Sequence, residues 1–317
     1  MTEPIPLEKS EQLVVAPGTT LGNVAATRTA KLGRSSVARA RLASPWGSLL
    51  AIAIAIIWTV PTFGLLLTSF RPEADINSTG WWNALSHPSF TLSNYNEALF
   101  GSTTNLANYF VNSVVITLPA VVIPISLALL AAYAFAWIEF RGKDILFVAV
   151  FALQIVPIQV TLIPLLTSYV NLKLAGSFWT IWLSHSMFAL PLAIFLLHNF
   201  MKDIPPSLIE AARIDGAGHV QIFFRILLPL LTPAIASFAI FQFLWVWNDL
   251  LVALTFAGGT PNVAPLTVKI AELSGTLGAR WYLLSAGAFI SMVIPVIVFL
   301  GLQRYFVRGL LAGSVKG

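Results

Sequence analysis

Residues 106–137 read LANYFVNSVVITLPAVVIPISLALLAAYAFAW, an apolar run of 32 residues without one charged side chain. About 20 apolar residues suffice for a helix to cross a bilayer, so this run predicts a transmembrane helix that tilts or projects from the membrane. Five further stretches have the same character: Trp46–Phe70, Ile145–Val170, Phe178–Phe200, Ile226–Asn248 and Leu283–Leu302. The sequence therefore predicts an all-α polytopic membrane protein with six transmembrane helices.

The composition supports this class. Of the 317 residues 57% are hydrophobic and 10% are charged, with a mean hydropathy of +0.83. Soluble domains carry about a quarter charged residues, so an ordinary cytosolic enzyme is excluded. The net charge of +5 is dispersed along the chain instead of forming a patch, which argues against a nucleic-acid partner. The absence of cysteine excludes disulfides, thiolate metal sites and cysteine nucleophiles.

The lysines and arginines predict the orientation. With both termini in the cytoplasm, the inner segments carry fourteen basic residues and the outer ones four, namely Arg71, Lys173, Lys269 and Arg280. Such a bias is the positive-inside rule, and an even number of spans agrees with it. Residues 1–45 are polar and lack any helical or strand period, so we expect a disordered cytoplasmic extension.

No motif of a catalytic or nucleotide-binding centre occurs. The chain has no G-x-x-x-x-G-K-[ST], no H-E-x-x-H, no G-x-S-x-G and no cluster with metal-ligand spacing, so we expect neither an enzyme nor a bound metal or cofactor. Charged groups inside spans mark ion-coupled carriers. Here His185 is expected to pack with a hydrogen bond inside the fourth span, and Asp249 to reach interfacial water at the outer end of the fifth.

The inner loop between spans four and five, residues 203–225, is the most informative segment. Pro205-Pro206 ends the fourth span, Ser207-x-x-Glu210 predicts a capping box, and Gly216 predicts the end of a short helix. Several small and apolar side chains are unusual for a solvated loop: Ala211, Ala212, Ala217, Ile222 and Phe223. The composition predicts insertion into a groove on another protein.

The same loop carries a family resemblance. Glu210-Ala-Ala212, three residues, Gly216, nine residues and Ile226-x-Leu-Pro229 resemble the EAA motif of ABC importer permeases. The following segments are similar to the smaller permease of maltose-type carbohydrate systems: Ser69–Pro72, Phe90–Tyr95, Asn112-Ser113, Trp247–Asp249 and the ending Gly309–Gly317, which departs at Leu311 and Ser314. The resemblance covers residues 46–317.

The resemblance implies a type I ABC importer domain over residues 46–306 and a cytoplasmic tail over 307–317. The EAA loop would dock on a separate ATPase, which holds ATP and Mg²⁺, through Glu210, Ala211, Ala212, Asp215 and Gly216. The tail would contact that ATPase through Gly309, Gly313, Ser314 and Lys316. The implied partners are two ATPase subunits, a second permease, an extracytoplasmic sugar-binding protein and the lipid of the bacterial cytoplasmic (inner) membrane.

The substrate stays open at this point. Aromatic faces and amides suit sugars, and Gln242, Trp245, Asn248 and Asp249 are the candidates for the path. Oligosaccharides, α-glucosides, trehalose and glycerol-phosphate sugars all remain open, and we expect an oligosaccharide or α-glucoside such as maltodextrin or trehalose. A secondary carrier or channel is an alternative that the uncharged spans and the docking loop disfavour. An intramembrane enzyme would need paired catalytic groups, and none is visible.

Overall fold

The computed structural model describes residues 45–275 and 280–314, with side chains to residue 303. Residues 1–44 of the expected N-terminal extension lie outside these residues, and Pro45 already begins a helix. The chain divides into two compact units, residues 1–63 and 64–317. All regular structure in the described part is helical, which confirms the all-α prediction.

The helices follow one another along the chain in the order α1 (Pro45–Ser69), α2 (Glu73–Ser78), α3 (Ser93–Phe100), α4 (Leu106–Trp137), α5 (Lys143–Ala152), α6 (Ile158–Asn171), α7 (Phe178–Lys202), α8 (Pro206–Ile214), α9 (His219–Leu230), α10 (Thr232–Trp247), α11 (Leu251–Ala257), α12 (Leu266–Ser274) and α13 (Trp281–Ser314). Short 3₁₀ turns occur at Trp81–Leu85 and Leu153–Ile155, and α9 contains a π-helical turn at Phe223–Leu227.

The first unit, as far as it is described, is the part of α1 up to Phe63. This segment is uniformly apolar and its large side chains, such as Ile57 and Trp58, are exposed. The Thr59 hydroxyl is satisfied within the helix, because it donates to the Ala55 carbonyl at 2.7 Å. Exposed apolar side chains with satisfied polar groups are what lipid requires of a span.

Within the described residues four helices, α1, α4, α7 and α13, are long and apolar enough to cross a membrane. The stretches expected as the third and fifth spans are instead bent pairs: α5 with its 3₁₀ turn and α6 meet at 98°, and α9 and α10 at 71°. Counting each bent pair as one span gives up to six. Neither stretch is one continuous helix, because Pro157 adopts an extended backbone before α6, and Pro233 lies in the first turn of α10 after the break at Leu231.

In the second unit the closest packing joins α4 and α7. Small side chains form the alanine seam: Ala128, Ala132 and Ala136 recur along one face of α4, and Ala189 and Ala193 lie on α7, all at most 7% exposed and all in one buried apolar group. Without a hydrophobic driving force in lipid, helices associate by such close backbone approach. Buried residues of α4, α7, α8, α9 and α10 form one continuous apolar group, here called the central cluster.

Candidate functional site

The loop between α7 and α10 folds as the short helix α8 followed by α9. Pro205 is the N-cap residue of α8, with an extended backbone and no side-chain capping bond, and Pro206 occupies the first helical position. Ser207 is therefore already helical, so the predicted capping box with Glu210 is wrong. Proline at the first turn is pre-organised for a helix, and it starts α8 two residues earlier than the sequence pattern suggested.

The end of α8 is as predicted. Gly216 has φ +83°, its N–H donates to the Arg213 carbonyl at 3.0 Å, and the Ala217 N–H donates to the Ala212 carbonyl at 2.9 Å. This is the Schellman pair of bonds that ends a helix with a left-handed residue. A Cβ at Gly216 would meet no atom within 4 Å, so its requirement for glycine is conformational and leaves the surface above it open.

The two faces of α8 are unlike. Ile209 and Ala212 are buried in the central cluster, whereas Glu210, Ala211 and Asp215 are exposed. Four of the five residues expected to contact a partner, Gly216 included, thus lie at the surface. Ala212 instead packs α8 onto the membrane helices.

The apolar residues that the loop presents differ from those singled out in the sequence. Ile222 and Phe223 are buried in the central cluster, so their expected insertion into a partner is wrong. The most exposed large apolar side chains are Ile214, at 85% exposure, Val220 at 73% and Phe224 at 57%. The helical period would separate the exposed from the buried side chains of α9, but the π-helical turn that begins at Phe223 shifts that period. Ile214, Val220 and Phe224 together give the described part of the loop an exposed apolar surface.

The last helix takes in most of the expected C-terminal tail. Gly309, Gly313 and Ser314 belong to α13, and Lys316 lies outside the described residues.

The path candidates near the end of α10 fall into two pairs. Gln242 is buried and donates to the Ala120 carbonyl on α4 at 3.1 Å, so it holds helices together. Asp249 is also turned inward, with a side chain 8% exposed that accepts the N–H groups of Val252 and Ala253 in the first turn of α11. The prediction that Asp249 reaches interfacial water is therefore wrong, because the carboxylate caps the next helix.

The other pair is accessible. Trp245 and Asn248 are exposed, and the Asn248 amide donates only along its own helix, to the Leu244 carbonyl at 2.8 Å. Asn248 lines a cavity of about 260 Å³ together with Thr267 and Ser291. These two residues remain available to a polar solute.

His185 on α7 completes this region. Its Nε2 lies 3.6 Å from the Asp249 carboxylate, and its ring meets the Trp245 ring edge to face at 5.6 Å. The residue is fully buried, and neither ring nitrogen has a hydrogen-bond partner among the described residues. The expected hydrogen bond of His185 is therefore wrong. Its proximity to Asp249, which lies 64 positions further on, could not be predicted from the sequence.

A second cavity, of about 200 Å³, lies at the bend between α5 and α6. Its lining combines Gln154 and Thr161 with Phe188 and Met187 of α7. Sequence reasoning missed this concavity, although Pro157 between two apolar runs was a signal of the bend.

Two of the segments that resemble the maltose-type permease, Ser69–Pro72 and Phe90–Tyr95, are brought together. The buried Asn94 side chain donates to the carbonyls of Ser69 and Arg71 at 3.0 and 2.8 Å, and Tyr95 pairs with the Ser69 hydroxyl at 2.8 Å. Asn112 likewise ties α4 to the loop before α12 through the Ala264 carbonyl at 3.0 Å. Within the described residues, no group of three or more His, Asp or Glu side chains is placed to hold a metal.

Comparison with known proteins places this geometry in a family. The sequence profile described as "Binding-protein-dependent transport system inner membrane component" matches residues 124–311. The osmoprotective compounds uptake permease protein GgtD of Synechocystis is 55% identical over 84% of this chain and 90% of that protein. The alpha-glucoside transport system permease protein AglG of Rhizobium meliloti is 47% identical over 80% and 67%.

More distant matches agree. The melibiose/raffinose/stachyose import permease protein MelC of Bacillus subtilis is 34% identical over 85% of this chain and 96% of that protein. A bacterial ABC transporter that imports the acidic polysaccharide alginate shares the fold, with a TM-score of 0.67 and 21% identity over 86% of this chain and 98% of that one. A second alginate transporter structure, in complex with an alginate-pentasaccharide-bound periplasmic protein, matches at a TM-score of 0.57 and 16% identity, over 83% and 95%.

Proposed function

The chain belongs to the binding-protein-dependent inner membrane components of ABC importers, a family of transport subunits and not of enzymes, and we propose that it forms half of the pathway of an ATP-driven sugar importer. The proposed coupling to an ATPase rests on the way α8 is packed. One face of that short helix is anchored in the central cluster, while Glu210, Ala211, Asp215 and Gly216 on the other face are exposed.

Because one face of α8 is packed against the membrane helices, the helix can transmit movement as a rigid element. An ATPase subunit that holds ATP and Mg²⁺ would bind the exposed face of α8, with Ile214 and Val220 filling an apolar cleft. Closure of two such ATPase subunits then moves the loop, and the packed helices rotate as a body. Gly309, Gly313, Ser314 and Lys316 are proposed to add a second contact from the C-terminal end.

The surroundings follow from this role. We place the chain in the bacterial cytoplasmic membrane as six spans, the bent pairs counted as one each, with both termini in the cytoplasm, as the basic residues indicate. A second permease completes the pathway, and an extracytoplasmic binding protein delivers the solute. ATP is hydrolysed on the partner ATPase, and this chain needs no cofactor of its own.

The substrate is proposed to be an oligosaccharide or α-glucoside. The relatives named for alpha-glucoside and for melibiose, raffinose and stachyose transport support a glycoside, and the name of GgtD adds osmoprotective compounds. Trp245 and Asn248 offer the aromatic face and the amide that such a solute would meet on this chain.

Affinity purification in mild detergent tests the docking loop. The wild-type chain should recover a P-loop ATPase and a second permease, and Gly216→Asp should lose the ATPase while keeping the permease. Gly176→Asp is the matched control, because Gly176 also has a positive φ, of +73°, and open space around it, but lies in another loop. Recovery of the ATPase with Gly216→Asp, or of the wild-type chain alone, would refute the proposal.

Uptake assays test the substrate. Cells that lack the gene should take up radiolabelled trehalose, sucrose or maltotriose more slowly than the parent strain, and the wild-type gene should restore that uptake. Equal uptake of all three in both strains would exclude the α-glucoside proposal while leaving the role as an importer subunit intact.

A further inference from the structure

Tyr133, one turn before the end of α4, bonds to the first residue of α9. Its hydroxyl oxygen lies 2.7 Å from Nδ1 of His219, and the two rings meet edge to face at 5.9 Å. Tyr133 is 7% exposed, whereas His219 is exposed at the surface of the loop. The contact thus joins a membrane helix to the loop of residues 203–225.

The same tyrosine contacts the loop a second time. Its ring packs edge to face on Phe223 at 5.4 Å, and both belong to the central cluster with Ile209 and Ala212. Apolar packing of this kind is non-directional, so it holds the loop against α4 without fixing the angle between them. A hydrogen bond weakens steeply when bent, and the Tyr133–His219 bond therefore supplies the direction.

We propose that Tyr133 and His219 are the positioning pair through which movement of the loop is passed to α4. This inference rests on the docking role proposed above for the loop. Displacement of His219 would draw Tyr133 with it, and α4 would carry α7 along because the alanine seam joins their backbones closely. A neutral imidazole accepts the phenol proton at Nδ1, and an imidazolium donates to the phenol oxygen instead, so the contact persists in either charge state.

Single substitutions can remove the hydrogen bond between Tyr133 and His219. Tyr133→Phe keeps both ring contacts and removes only the hydroxyl, and the freed His219 nitrogen is exposed enough to bond water. His219→Ala removes the other partner, and His219→Asn restores an amide atom near the position of Nδ1. The matched control is Tyr169→Phe, which deletes a tyrosine hydroxyl bonded at 3.0 Å to Ser184 between two other helices, α6 and α7.

Paired spin labels measure the transmission, in the complex of the full chain with its ATPase and second permease. Because the chain has no cysteine, introduced cysteines are its only labelling sites. One pair, at Gln221 and Val148, reports the loop, and a second, at Leu130 and Val293, reports α4. All four are exposed. Distances are recorded by double electron–electron resonance without nucleotide and with Mg-ATP trapped by vanadate.

In the wild type both pairs should shift on trapping. In Tyr133→Phe and His219→Ala the distance of the loop pair should still shift. The ratio of molecules with α4 in the shifted position to those with α4 unshifted should fall about two- to tenfold, the range expected for the loss of one hydrogen bond of ordinary net strength. His219→Asn and Tyr169→Phe should behave like the wild type.

Three results would overturn the inference. An α4 shift of wild-type size in both cutting variants would show that apolar packing alone transmits the movement. Loss of ATPase binding in both would show a merely structural role. Absence of any loop shift in the wild type would instead remove the docking function itself, and the inference with it.

Discussion

Removal of the Asp249 carboxylate should destabilise the region where α10, α11 and α7 meet. The carboxylate accepts two backbone N–H groups of α11, at 3.2 Å from Val252 and 2.8 Å from Ala253, and its side chain is 8% exposed. A helix-capping bond contributes about 1 kcal/mol, and a buried donor left without a partner costs about 1–3 kcal/mol. Asp249→Ala should therefore lower the free energy of unfolding by about 2–4 kcal/mol.

Asp249→Asn should cost less, about 1 kcal/mol, because the amide oxygen still accepts one of the two bonds. The measurement is unfolding of the purified chain in detergent micelles titrated with SDS, followed by tryptophan fluorescence. The control is the neighbour Asn248→Ala, whose exposed amide bonds only along its own helix and whose loss should stay within about 0.5 kcal/mol. If the Asp249→Ala and Asn248→Ala variants unfold at the same SDS concentration, the capping argument fails.

Three further outcomes are expected in the same assay. Gly216→Ala should cost about 1 kcal/mol, because an alanine resists its positive φ, whereas Gly218→Ala, at a negative φ, should be near neutral; equal costs would contradict the conformational explanation. Ala193→Leu should cost about 1–3 kcal/mol by overpacking the seam between α4 and α7, and an unchanged midpoint would show that the seam can open. Asn94→Ala should cost about 1–3 kcal/mol for two buried carbonyls left unpaired, and exposed Asn96→Ala much less; the reverse order would exclude that role.

Composition and apolar length predicted the all-helical fold because bilayer thickness, which sets the length of a span, is independent of the rest of the chain. The same reasoning could not find the bends at Pro157 and Leu231. Mean hydropathy records how apolar a segment is and not where it turns, and prolines are tolerated inside straight spans, as Pro119 and Pro124 of α4 show.

The feature of the docking loop that was predicted correctly depends only on residues close together in the sequence. Gly216 ends α8 as expected, since a left-handed cap depends on neighbours within one turn. The capping box failed because Pro206 outcompetes Ser207 for the start of the same helix. The pairs Tyr133–His219 and His185–Asp249 join residues on different helices, and one sequence carries no signal of which helices pack together.

The bent pairs have a consequence for how the chain enters the membrane. α6 has 14 residues and α10 has 16, so at 1.5 Å per residue they measure about 21 and 24 Å, short of the roughly 30 Å hydrocarbon layer. Neither can be released into lipid alone without leaving backbone groups at its broken end exposed to hydrocarbon. We therefore expect the insertion machinery to retain these segments until α7 and α13 have been synthesised, so that biogenesis proceeds in groups of helices rather than one at a time.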